Sequence, residues 1–203
     1  MKKNKLLVIF FLSCLFSYII YNYTISNRIN VLILGDNYLI NNKYKTYDKY
    51  LLDKYYNIND LNKLFTNDNE TYKDIINNIK NNYYIYEKGK KVYLNQKSTE
   101  SDIIILNANN ENYFEKCFKG KSIIKKYDEN VTNDIIKLKK IISKISPAKV
   151  IVISNYCYND KYQLYNGDIN LNNLYFKYQN TKSKRLNDKV NYQIYSEIVK
   201  HID

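Results

Sequence analysis

Apolar positions along this chain fall into two kinds of run. Three runs are short, continuous and rich in β-branched residues: Val31-Leu32-Ile33-Leu34, Asp102-Ile103-Ile104-Ile105-Leu106 and Lys149-Val150-Ile151-Val152-Ile153. Runs of this length without alternation are the pattern of strands buried on both faces. Elsewhere apolar residues recur at helical spacing. Tyr72, Ile75, Ile76 and Ile79 share one face of a helix opened by Asn69-Glu70-Thr71. Val131, Ile135, Leu138, Ile142 and Ile145 mark a longer amphipathic helix stopped by Ser146-Pro147, and Leu186, Val190, Ile194 and Ile198 lie four apart on a last one. Tyr47 to Tyr56 is also predicted helical. Tyr83 to Leu94 alternates and turns at Glu87-Lys88-Gly89-Lys90, which predicts a β-hairpin inserted into the strand–helix alternation. Tyr158 to Lys184 is polar and rich in Asn and Tyr, the pattern of a long loop with little regular structure.

Buried strands separated by amphipathic helices predict an α/β fold: a three-layer sandwich with a central parallel sheet covered on both faces. In that arrangement the three apolar strands are neighbours, and Gly35 and Asn107 lie at the same sheet edge. A different segment precedes the domain. Lys2, Lys3 and Lys5 lead into an apolar run from Leu6 to about Tyr21. The run is a little short of the ~20 residues that span a bilayer comfortably. Bulky Tyr18, Ile19, Ile20 and Tyr21 stand where a signal peptidase needs small residues. The expectation is an uncleaved signal anchor, a single transmembrane helix over residues 1–23, with a tether over 24–30 and the α/β domain over 31–203. Basic residues stay cytoplasmic, so the domain is expected on the extracytoplasmic side of the cell membrane.

Composition changes this picture little. The 24 tyrosines, the absence of Trp and the abundance of Lys, Asn and Ile are what an A/T-rich genome favours, so the tyrosines do not by themselves mark a nucleic-acid surface. The formal net charge is +12. The lysines are spread without a long basic block, which argues against nucleic acid and leaves anionic lipid or a cell-wall polymer as partners. Cys14 falls inside the apolar run, in a poor lipobox. Cys117 and Cys157 either pair as an exported disulfide or remain buried thiols. With one histidine and no Cys-x-x-Cys, no metal site and no cofactor are expected.

The first strand ends in Gly35-Asp36-Asn37 and the second in Asn107-Ala108-Asn109-Asn110. A strand ending in Gly-Asp-polar delivers that polar side chain to the carboxyl edge of a parallel sheet, where open α/β sheets keep their ligands. Gly35-Asp36-Asn37 resembles the Gly-Asp-Ser-Leu opening motif of the SGNH (GDSL-type) hydrolases. Asn107-Ala108-Asn109-Asn110 resembles their Gly-x-Asn-Asp block, whose Asn helps form the oxyanion hole. Gly35, Asp36 and Asn109 match; Asn37 stands at the nucleophile position, Asn107 at the block glycine and Asn110 at the block Asp. The family's Asp-x-x-His is missing: the only histidine, His201, has Ile198 at the Asp position. In the family another strand and a His-bearing loop follow such a last helix, so the expectation is a truncated reading frame or a decayed domain. The resemblance implies an SGNH/flavodoxin-like fold over residues 31–203. It also implies a catalytically degenerate site in which Gly35, Asp36, Asn37, Asn107 and an oxyanion-type Asn109 bind a carbohydrate or acyl ligand. Two other readings stay open. One is an active envelope esterase with an unrecognised or partner-supplied base, Ser154 being the one serine at a strand end. The other is a basic surface adhesion or scaffold protein.

Overall fold

The computed structural model describes residues 2–26, 28–36, 44–55, 58–64, 70–87, 89–157, 167–179 and 185–203. In chain order these form α1 (Lys2–Ser26), β1 (Ile29–Gly35), α2 (Tyr47–Lys54), β2 (Ile58–Leu64) and α3 (Tyr72–Lys80). The hairpin β3 (Tyr84–Glu87) and β4 (Lys90–Tyr93) follows, then α4 (Leu94–Thr99), β5 (Ile103–Asn107) and α5 (Asn110–Lys116). The chain continues through α6 (Lys121–Ile145), β6 (Lys149–Val152), α7 (Leu171–Tyr178) and α8 (Asp188–Ile202).

Four strands pair in parallel in the order β2-β1-β5-β6. Successive residues of a strand point to opposite faces, and the core divides accordingly. Val31, Ile33, Ile103, Ile105 and Ile151 pack against Leu51 of α2, Leu171 and Tyr175 of α7, and Val190, Ile194 and Ile198 of α8. Leu32, Leu34, Ile104, Leu106 and Val152 pack on the other face against Ile75, Ile76 and Ile79 of α3, Leu94 of α4, and Val131, Ile135, Leu138 and Ile142 of α6. Apolar residues therefore run without a break from Val31 to Leu34 in β1 and from Ile103 to Leu106 in β5, because both faces need them. The fold is α/β, a central parallel sheet with helices on both faces, as the three apolar runs predict. Val31 pairs with Ile103, Ile103 with Lys149, and Gly35 with Asn107 at one edge.

Local signals set the helix starts. Thr71 and Asp74 form a reciprocal capping box at the head of α3: the Asp74 N–H donates to Thr71 Oγ1 (3.2 Å) and the Thr71 N–H to Asp74 Oδ2 (2.9 Å). Asn187 caps α8 by accepting from the Val190 N–H (2.9 Å). The hairpin turns where expected, with Glu87 opposite Lys90.

The structure departs from the sequence reading at β2, at α7 and at the start of β1, and it adds the short helices α4 and α5, which the sequence reading lacked. β2 was not anticipated: Ile58-Asn59-Asp60-Leu61-Asn62-Lys63-Leu64 is an edge strand with only Leu64 fully buried, so it lacks a strong apolar run. α7 lies inside the stretch read as a loop; its Leu171 and Tyr175 reach the core, and Asn170 caps it through the Asn173 N–H (3.0 Å). β1 begins at Ile29, inside the expected tether. In α1, Ile9, Phe10, Phe11, Leu12, Leu15, Phe16, Ile19 and Ile20 are exposed. Among the described residues no helix is long and apolar enough to cross a membrane.

Cys117 and Cys157 are joined in a disulfide with a Cα–Cα distance of 5.9 Å. It ties the chain after α5 to the chain after β6, in a small core with Tyr113 and Ile124. Closing a loop of 40 residues removes denatured-state entropy worth about 4 kcal/mol. Urea unfolding with and without reductant, and of Cys117→Ser without it, should show a loss of about 3–4 kcal/mol in both cases. Unchanged midpoints would mean that the bridge contributes nothing to stability.

Candidate functional site

The order β2-β1-β5-β6 contains one reversal. From β1 the chain steps outward to β2; it then crosses back past β1 to β5 and continues outward to β6. Connections leave β1 and β5 in opposite directions, the arrangement that in open α/β sheets places a ligand crevice outside the carboxyl ends of the strands. Gly35-Asp36 and Asn107-Ala108-Asn109-Asn110 both end there.

Gly35 makes the junction possible. Its φ is +139°, and a Cβ added to it would lie 1.7 Å from the Asn107 carbonyl oxygen. No other residue fits between the strands at this level. The chain then locks. The Asp36 N–H donates to the Asn107 carbonyl (2.8 Å), and the Asn110 N–H donates to Asp36 Oδ2 (2.9 Å). Asp36 is fully buried, and its carboxylate satisfies an N–H left without a helical partner at the start of α5. Asn110 Nδ2 donates to Asn107 Oδ1 (2.6 Å), and Asn107 Nδ2 donates to the Tyr47 hydroxyl (3.4 Å).

Asn109 sits in the left-handed region at φ +69°, which Asn tolerates better than most residues. Its N–H donates to the Glu70 carbonyl (3.0 Å), while Asn78 Nδ2 donates to Glu70 Oε1 (2.8 Å). The side-chain Oδ1 atoms of Asn109 and Asn110 are buried without a hydrogen-bond partner. Two unpaired amide oxygens carry a desolvation cost that a donor from a ligand would offset.

Three tyrosines complete the surroundings. Burial, then the neighbouring Asp48 carboxylate, raises the Tyr47 phenol well above its ordinary value. Burial likewise raises Tyr72, partly opposed by the Ala108 backbone; its hydroxyl reaches toward the Ile153 carbonyl (3.5 Å). Tyr127 is pushed up to about 12 by burial and by Asp36. All three therefore stay protonated at neutral pH and offer O–H groups rather than phenolates. Asp48 is itself buried and paired with Lys63 Nζ (2.7 Å).

The structure brings Gly35, Asp36, Asn107 and Asn109 together and adds Asn110, Tyr47, Tyr72 and Glu70. Asn37 lies outside the described residues. Ser154 is not positioned as a free nucleophile: it is buried, its Oγ accepts from the Leu171 N–H (2.9 Å) and donates to the Asn155 carbonyl (3.2 Å). His201 is at the wrong edge. Its carbonyl accepts from the ammonium of Lys149, the first residue of β6, at the amino edge of the sheet. Among the described residues the groups gathered at this edge are amides, phenols and the Asp36 carboxylate. Among the described residues no cluster of His, Cys, Asp and Glu is arranged to hold a metal ion. No family model matches the chain, and neither a curated protein nor a solved structure matches it.

The tyrosines are what sequence reasoning missed, because compositional bias hid them. The available signal was position: Tyr47 and Tyr72 each open a helix that leaves the carboxyl edge.

Two outcomes follow from this geometry. Gly35→Ala must push β1 from β5 and should destabilise by about 3 kcal/mol or more, read by chemical denaturation; a loss below 1 kcal/mol would deny the close approach. The raised phenols stabilise the native state fully below the unfolded tyrosine value near 10. That contribution is lost as pH rises through the folded values, about 12 for Tyr127. Absorbance at 295 nm should therefore show a late class of tyrosines ionising together with loss of structure above pH 10. Titration of all tyrosines near pH 10 with the fold intact would contradict it.

Proposed function

We propose that this chain is a membrane-anchored, extracytoplasmic SGNH (GDSL-type) hydrolase-like protein that binds an acyl- or acetyl-bearing ligand of the cell envelope without hydrolysing it. The observation that carries the reading is the convergence of Gly35-Asp36 with Asn107–Asn110 at the sheet's one switch point. In a hydrolase, a side-chain amide at the Asn109 position contributes to a developing oxyanion. Here Asn109, Asn107 and the protonated Tyr47 and Tyr72 are groups suited to an ester carbonyl and its hydroxylated neighbours. The engaged hydroxyl of Ser154 and the placement of His201 at the opposite edge weigh against the active-esterase alternative.

Two observations support the location. A disulfide is at home in oxidising compartments. α1 exposes apolar side chains around its whole circumference, including Phe10, Phe11, Leu12 and Leu15. A helix apolar on all sides belongs in a core or a bilayer, and Lys2, Lys3 and Lys5 at its start set the orientation.

The test uses the full chain in detergent. p-Nitrophenyl acetate and butyrate should show no turnover, and Asn37→Ser should not create it, because the new hydroxyl still lacks a base. Titration with triacetin, a soluble acetyl ester, should shift the side-chain amide NMR signals of Asn107 and Asn109. Turnover labelled by a serine-reactive phosphonate would make the protein an enzyme; absence of any shift at Asn109 would remove the crevice as a ligand site.

A further inference from the structure

The chain enters the domain at the amino edge of the sheet, opposite the candidate site. α1 ends at Ser26 and β1 begins at Ile29. The link across residues 27 and 28 reaches at most about 10 Å. The apolar stretch of α1 closes at Tyr21. From there to Ser26 the helix rises about 7 Å, close to the depth of a headgroup layer. With α1 in a bilayer, the start of β1 therefore stands within about 10 Å of the headgroups.

The same edge is where the helices end, because each runs back against the strands. Thr99 Oγ1 donates to the Ile145 carbonyl at the end of α6 (3.2 Å), and the Lys149 ammonium donates to the His201 carbonyl at the end of α8. Charge is uneven along this edge. On the α8 side it is mixed: Lys200 pairs with Glu197 (2.7 Å), and Asp203 accepts from the Tyr55 hydroxyl (2.8 Å). On the other side Lys80 closes α3, and Lys137, Lys140 and Lys144 share one face of α6 at spacing i, i+3, i+7. All four are exposed, and none makes an ion pair among the described residues. Lys137 lies only about 10 Å further from the edge than Lys144. The carboxylates nearby are Glu100, paired with Lys97 (3.5 Å), and Asp102, which accepts from the Asn30 N–H (2.7 Å). Asp134 sits one turn beyond Lys137. One lysine in a last turn complements the helix dipole; three on one face of α6, with Lys80 of the adjacent α3, exceed that need.

We propose that the α3–α6 side of the amino edge rests on anionic phospholipid headgroups of the leaflet from which α1 emerges. Lysines held within a Debye length of such a leaflet are attracted to it. The proposal rests on the membrane-anchor reading, and it sets the direction of the candidate site. Between Asp102 and Asn107 the chain climbs about 15 Å away from the amino edge. Gly35, Asn107 and Asn109 then face away from the bilayer. Their acyl-bearing ligand arrives from the far side of the envelope, not from a lipid of the same leaflet.

The experiment places the full chain in lipid nanodiscs of phosphatidylcholine, alone or mixed equally with phosphatidylglycerol. Each is doped with a lipid carrying a gadolinium chelate on its headgroup, so paramagnetic broadening of backbone amide signals reads distance from the leaflet. The Lys80 and Lys144 amides should broaden at least about threefold more in the anionic discs than in the neutral ones, and high salt should remove the difference. The Asn109 and Asn110 amides should be the less broadened in both. Combining Lys137→Gln, Lys140→Gln and Lys144→Gln should bring Lys80 in anionic discs down to its neutral-disc broadening, with the melting temperature unchanged because all three side chains are exposed. Equal broadening in the two compositions, or broadening at Asn109 that matches Lys144, overturns the docked edge. A chain that stays out of the discs removes the anchor and this proposal with it. A chain retained in the discs with its lysines unbroadened removes the docking alone, so the two failures are told apart.

Discussion

The approach of β1 to β5 at Gly35 and Asn107 is the constraint on which the rest of this site depends. With 1.7 Å between a notional Cβ and the Asn107 carbonyl oxygen, the two backbones meet closer than any side chain allows. That contact lets the Asp36 N–H bond the same carbonyl and brings the Asp36 carboxylate under the first turn of α5. Asn110 is then held by the Asp36 carboxylate, Asn107 by side-chain bonds to Asn110 and to Tyr47, and Asn109 by its N–H to the Glu70 carbonyl. The positive φ of Asn109 turns the chain sharply enough to begin α5 at the next residue. Burial of the surrounding tyrosines follows, because α2 and α3 both start at this edge and direct Tyr47 and Tyr72 inward.

What was legible in the sequence is what burial on two faces imposes. Val31–Leu34, Ile103–Leu106 and Ile151–Ile153 have no polar position because all of these residues are buried. The four-residue spacing of Leu186, Val190, Ile194 and Ile198 is read straight off the one face that α8 buries. The candidate residues at the ends of β1 and β5 were visible for the same reason: a sheet that is apolar throughout makes its first polar residues conspicuous. β2 and α7 were hidden because each buries little. β2 is an edge strand whose Asn59 and Asp60 face solvent, and α7 contributes Leu171 and Tyr175 from within a stretch dominated by Asn, Tyr and Lys. The partners of Asp36 lie more than 70 residues away in sequence and are backbone groups, so no residue pattern reports them.

Among the described residues the site holds a buried carboxylate committed to a helix start, amides tied to one another, and phenols held protonated by burial. The two unpaired amide oxygens of Asn109 and Asn110 are the groups left for a ligand to satisfy. The Cys117–Cys157 bridge joins the segments that follow β5 and β6 covalently, which lowers the ordering cost on that side of any ligand bound there.

The most direct measurement is native-state hydrogen exchange at the Asp36 and Asn110 amides, followed as a function of low denaturant. If the junction is as tight as described, both amides exchange only through global unfolding, with the same denaturant dependence as Leu32 and Ile104 in the strand cores. Exchange of either through a local opening, independent of denaturant, would contradict the account: the crevice would then be a loose end of the sheet rather than a built site.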